Sequence, residues 1–122
     1  MVTARRRLGD FGERLAVQHL ESARMHVLES NVRTPAGEID IVAEDGDDLV
    51  FVEVRTRRAA PGLGAESLTP AKLRRMWQCA MEYCETNLID PEHVRIDAVT
   101  VDLDAAGRVI GVEHFRALEI PD

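Results

Sequence analysis

The sequence is poor in the residues that secreted, membrane-spanning or base-stacking proteins are built from. Cysteine occurs only at Cys79 and Cys84, too few for a disulfide framework and at no metal-knuckle spacing. The pair reads as free thiols, as expected of a cytoplasmic protein. No apolar run approaches the roughly 18 residues of a membrane span. The basic start, Arg5-Arg6-Arg7, leads into an amphipathic pattern and not an apolar signal core. No membrane association is therefore expected. Aromatics make up 4%, too sparse for recognition of single strands by stacking, and Trp77, set among apolar residues at helical spacing, reads as core. No serine has the setting of a nucleophile elbow, and Pro61-Gly62-Leu63-Gly64 lacks the strand-to-helix context of a phosphate loop. His19, His26, His93 and His114 share no helical or strand spacing with the carboxylates and read as structural or surface residues. Lysine occurs once, at Lys72, against fourteen arginines.

What is present is an ordinary globular composition, 45% hydrophobic and 30% charged. A length of 122 residues fits one domain spanning residues 1–122. The net charge of −7 argues against a nucleic-acid partner taken whole. Its distribution argues otherwise. Residues 54–76 carry Arg55, Arg57, Arg58, Lys72, Arg74 and Arg75 against the single Glu66, while residues 15–53 and 77–122 are strongly acidic. One basic segment beside a run of carboxylates can hold a phosphate backbone despite the overall sign. It can equally be a solvated helix face.

Periodicity predicts the order αβββαββ, a sheet flanked by two helices. A helix is expected over Arg5–Ala23 and a strand near Met25–Val32. A hairpin follows over Glu38–Glu44 and Leu49–Thr56, then a flap-like Gly/Pro/Ala loop over Arg58–Leu68. Thr69-Pro70 opens a second helix to about Asn87, and strands follow at Val94–Leu103 and Val109–Phe115.

The hairpin carries acids where apolar residues are expected. Strict alternation puts Ile39, Ile41 and Ala43 on one face of its first strand, with Glu38, Asp40, Val42 and Glu44 on the other. A loop over Asp45–Asp48 pairs Glu44 with Leu49 and sets Asp40 opposite Glu53. A two-residue turn at Asp45-Gly46 leaves those two diagonal on the same face. Either way Glu38, Asp40, Glu53 and Arg55 share a face. Opposed like charges need a counter-charge or a cation, and oxygen-only clusters suit Mg²⁺ or Mn²⁺. A solvated acidic face with Arg55 pairing across it is the other reading.

Gly37-Glu38-Ile39-Asp40 followed by Val50-Phe51-Val52-Glu53-Val54-Arg55-Thr56-Arg57 resembles the signature of the YraN-type bacterial family, a small member of the restriction-endonuclease-like superfamily. Gly12-Glu13-Arg14-Leu15-Ala16, Asn31, Lys72-Leu73-Arg74-Arg75 with Ala80 and Tyr83, Arg95-Ile96-Asp97 and Glu113-His114 resemble the rest of that family's pattern. The resemblance implies a mixed α/β sheet and a metal-dependent DNA endonuclease acting on duplex or branched DNA. It makes Asp40 and Glu53 catalytic metal ligands, the Val54 carbonyl a third ligand and Glu13 an outer or second-metal ligand. Glu38 would anchor a metal-bound water. The superfamily's catalytic lysine is Arg55 here, which can clamp phosphate but cannot serve as a base; Lys72 is the one lysine that could take over that role. Because of this exchange, a DNA-binding or adaptor module that no longer cuts is the alternative. An acidic protein-interaction domain is a third. One basic patch contacts few phosphates, so a homodimer across a two-fold junction is also expected.

Overall fold

The computed structural model describes residues 4–58 and 68–122. The chain runs α1 (Ala4–Ser22), β1 (His26–Thr34), β2 (Gly37–Asp45), β3 (Asp48–Arg58), α2 (Pro70–Thr86), a 3₁₀ turn (Pro91–His93), β4 (Val94–Leu103) and β5 (Val109–Phe115). The five strands form one sheet in sequence order. All neighbours are antiparallel except β3 and β4, whose parallel pairing requires the crossover that α2 supplies. This is the mixed, helix-flanked α/β sheet expected of a restriction-endonuclease-like chain. Among the described residues no helix is long and apolar enough to cross a membrane.

Each helix covers one face of the sheet. On the α1 side, Ala16 and Leu20 pack on Ile41, Ala43, Val50, Val52, Val99 and Val101. On the α2 side, Cys79, Ala80, Tyr83 and Cys84 pack on Ile39, Val42, Phe51 and Ile96. Both cysteines are buried free thiols. Thr69 caps α2 by accepting from the Lys72 N–H at 3.2 Å, with Pro70 opening the helix.

Several expectations need correcting. The β2–β3 turn is Gly46-Asp47, closed by the Asp45↔Asp48 pair, with Gly46 at φ 59°, a left-handed value that glycine adopts without penalty. It keeps Glu44 opposite Leu49, as the longer loop would have done. β1 runs two residues past Val32 because Arg33 and Thr34 still pair with Glu38 and Gly37. β3 likewise extends to Arg58 because β4 pairs with it as far as Leu103. Trp77 is not core: it is 37% exposed, one step around α2 from the packed Met76, beside Arg74 and Ile120 in a shallow cleft. Of the loop read as a flap, residues 59–67 lie outside the described residues.

Candidate metal and nucleic-acid site

The site forms where the β2–β3 ladder stops. Pairing ends at Ile41↔Val52, although β3 continues on β4. The next β3 N–H facing β2 belongs to Val54, and instead of a ladder carbonyl it meets the Asp40 carboxylate, donating to Oδ2 at 2.8 Å. A strand residue's N–H and C=O project to the same side, so the Val54 carbonyl faces the same gap.

Alternation fails at this point. Ile41 packs on the α1 side but Ile39 on the α2 side, so the two do not share a face as strict alternation requires. The cause lies on β1. Asn31 falls between the pairs Ser30↔Ile41 and Val32↔Ile39 and has φ 55°, a left-handed conformation that asparagine tolerates better than most residues. Beyond it both strands have reversed face, and Asp40 stands at the reversal.

Two grooves meet at Glu38 and Arg55. The larger, about 600 Å³, is lined on its α1 side by Asp10 and Glu13, and by Asn31, Glu38, Asp40, Val54 and Arg55 from the sheet. The other, about 280 Å³, lies against α2 and is lined by Glu38, Glu53, Arg55, Lys72 and Arg75 among others. The structure thus gathers Glu38, Asp40, Glu53, Val54 and Arg55, with Glu13 across the α1 groove. Among the described residues no three acid, histidine or cysteine side chains form a ready metal cage. The donors at the gap are two carboxylates and a main-chain carbonyl.

These acids are poorly compensated. Burial, then repulsion from Asp40, pushes the Glu53 carboxyl up to about 7, against the pull of Arg55 and Lys72. Burial also raises Asp40 despite its bond from Val54, and Glu38 adds to the effect. Glu13 is raised by burial, opposed by a hydrogen bond from Asn31 Nδ2 to its Oε1 at 2.7 Å, with Asp40 and Asp10 repelling it further. Arg55 Nε stands 3.5 Å from Glu53 Oε1, too far for a good hydrogen bond, and is buried with no partner among the described residues. A hard divalent cation fits such a donor set, because it offsets the repulsion that holds these groups towards protonation.

The basic candidates separate. Lys72 and Arg75 join Arg55 in the α2 groove. Arg57 is committed to Asp102 at 2.9 Å, Arg58 reaches the Gly107 turn between β4 and β5, and Arg74 lies beside Trp77.

Sequence reasoning missed a buried charge network on β4. Asp97, fully buried, accepts from Arg95 Nε at 2.9 Å, lies 2.7 Å from His114 Nε2, and accepts from the Ala117 N–H at 2.9 Å. Arg95 also pairs with Asp45 and Asp48, tying the hairpin turn to β4. Burial works to raise the Asp97 carboxyl, but its bonds from His114, Arg95 and Ala117 prevail and bring it down to about 2. His114 therefore does have a carboxylate partner. The visible signal was an Arg-x-Asp pair on a face of β4 that is otherwise apolar, Val99, Val101 and Leu103. Asn31 stood out only through the family resemblance; its left-handed backbone left no signal, since such a residue inside a strand follows no periodicity.

The model of the uncharacterised protein family UPF0102 matches residues 12–101. A UPF0102 protein of Dehalococcoides mccartyi is 44% identical over 104 residues, covering 84% of this chain and 86% of its own. One from Kineococcus radiotolerans is 43% identical over 119 residues, covering 96% and 97%. One from Dichelobacter nodosus is 45% identical over 102 residues, covering 83% and 79%. The matched span runs from Gly12, in the middle of α1 and next to Glu13, through the whole hairpin and nearly all of β4, and on these likenesses the chain belongs to family UPF0102.

Proposed function

We propose that this protein is a divalent-metal-dependent endonuclease acting on duplex or branched DNA. The observation that carries the reading is the Asp40–Glu53 pair, desolvated and short of positive charge, at a strand gap that also presents the Val54 carbonyl and opens onto Arg55, Lys72 and Arg75. Asp40, Glu53 and the Val54 carbonyl would hold Mg²⁺ or Mn²⁺, with Glu13 as an outer acid. Such an ion supplies a water of lowered pKa and charge to offset the phosphorane. Asp40 is oriented by the Val54 N–H, so one oxygen is spoken for and the other is left for a cation. Glu53, on the next strand, closes the opposite side. Arg55 stands between the two grooves, where it can clamp a non-bridging phosphate oxygen. Lys72 and Arg75 extend the positive track along α2. A water that gives up a proton to solvent would attack phosphorus, the bond to the leaving sugar oxygen would break, and that oxygen would take a proton from solvent.

One observation favours a second reading. No lysine stands at Arg55, and arginine cannot take a proton from water, so a chain that binds DNA without cutting it is the alternative. Purified protein incubated with duplex, flapped and four-way-junction DNA, with Mn²⁺ or with EDTA, separates the two. Cleavage that needs Mn²⁺ and is lost in Asp40→Asn and Glu53→Gln supports the nuclease. Binding without cleavage of any of the three supports the silent module. No binding and no cleavage removes both.

A further inference from the structure

We infer that Asn31 is the positioning residue of this site, setting the geometry between Glu13 on α1 and the Asp40–Glu53 pair. The inference rests on the metal-site reading above and extends it to a residue that would touch neither metal nor substrate.

Asn31 acts twice. Its left-handed backbone (φ 55°) sits in the middle of β1, where every other residue is extended or bulged. Ser30 lines a groove against α1, and the next residue, Asn31, also reaches α1, by donating to Glu13 Oε1 at 2.7 Å. Val32 then packs on the α2 side. Two successive residues on one face mark the reversal, and β2 follows it through the pairs on either side. In an unkinked strand that kept Ile41 towards α1, Asp40 would point to the α2 face. The kink brings it into the α1 groove as well, where its carboxylate meets the Val54 N–H and faces Glu13. The amide of the same residue then fixes the Glu13 rotamer. One residue couples a helix acid to the hairpin acids, which lie 27 and 40 positions further along the chain.

The two roles separate by substitution. Asn31→Gly keeps the left-handed backbone, since glycine adopts it freely, and removes only the amide. Partners that orient ligands in this way typically contribute 10–100-fold to metal affinity. Calorimetric titration with Mn²⁺ should therefore show Asn31→Gly binding roughly tenfold or more weakly, with a Tm within a few degrees of the parent. In a Glu13→Ala background the same substitution should change Mn²⁺ affinity no further. Asn31→Ala, which must also strain the backbone, should lose more in both measurements. Wild-type affinity in Asn31→Gly, or equal effects with and without Glu13, would overturn the inference. If the wild type binds no Mn²⁺, the metal reading itself fails and the metal-free protein decides the rest. Tm losses of Asn31→Gly and Glu13→Ala that fall short of additivity in the double variant would still establish Asn31 as the residue that positions Glu13. Strict additivity would show that it does not.

Discussion

At the scale of single residues, the site is defined by charges left without enough compensation, and this has a sign that can be measured. Burial and the neighbouring Asp40 raise the Glu53 carboxyl from its ordinary 4.5 to about 7 in the folded chain. Its contribution to stability is complete below that lower value and is lost as the pH rises through the upper one. In metal-free protein, unfolding free energies measured from pH 4.5 to 8 should fall by roughly 2–3 kcal/mol more in the wild type than in Glu53→Gln. Mn²⁺ should restore most of that difference in the wild type alone. Identical pH profiles would mean that Glu53 is hydrated and no part of a desolvated pair. Arg55 carries the companion prediction. Its guanidinium can neutralise a phosphorane but cannot activate water, so Arg55→Lys should raise Mn²⁺-dependent cleavage, within the ~10²–10⁴-fold range of general acid–base catalysis. A lower rate in Arg55→Lys would identify Arg55 as a working clamp whose bidentate geometry lysine cannot copy.

At the scale of elements, the same helix offers a contrast between two glycines. A Cβ at Gly12 would fall on the Thr56 hydroxyl and stand 2.8 Å from Thr56 Cβ, whereas one at Gly9 would meet nothing. Thr56 is fixed by β3 pairing to β4, so Gly12→Ala must lift α1 off the sheet. Urea unfolding should show it destabilised by ~1–3 kcal/mol, with Glu13 displaced beside it. Gly9→Ala should be neutral or stabilising by up to ~1 kcal/mol. If Gly12→Ala is neutral, the close approach of α1 to β3 is absent in solution. This element-level order is also where the sequence was most legible. The Thr69-Pro70 start of α2 and the bounds of β4 and β5 follow from capping and alternation, whereas the pairing of Glu44 with Leu49 was one of two registers that alternation left open, and the turn decides it. Trp77 misled because helical spacing identifies a stripe but not its edges, and a residue one step beyond the stripe has the same neighbours. Ile39 misled because periodicity presumes a continuous strand, and Asn31 interrupts it. The Asp97 network stayed hidden because β5 brings His114 across from a separate strand, and no local pattern encodes that meeting.

At the scale of the molecule, a chain of net charge −7 attracts DNA only if its positive groups are concentrated and its acids are distant or neutralised. Of the basic segment, the structure leaves Arg55, Lys72 and Arg75 facing one groove and commits Arg57 to Asp102. The phosphate contacts should follow that division. Lys72→Ala with Arg75→Ala should weaken DNA binding and lower the slope of log affinity against log salt by close to two, since each phosphate contact contributes about 0.9 on B-DNA. Arg57→Ala should leave the slope unchanged while exposing Asp102 as an uncompensated acid. The remaining acids act at longer range. At about 0.01 M salt the Debye length is ~30 Å and the whole charge of the molecule is felt; at 0.15 M it is ~8 Å and only the groove is. Neutralising exposed acids such as Glu85 and Glu92 should therefore tighten binding at low salt and have little effect at physiological salt. Fluorescence anisotropy over that salt range tests both statements. A slope unaffected by Lys72 and Arg75 but altered by Arg57 would move the interface from the α2 groove to the β4 side of the sheet, away from the carboxylates.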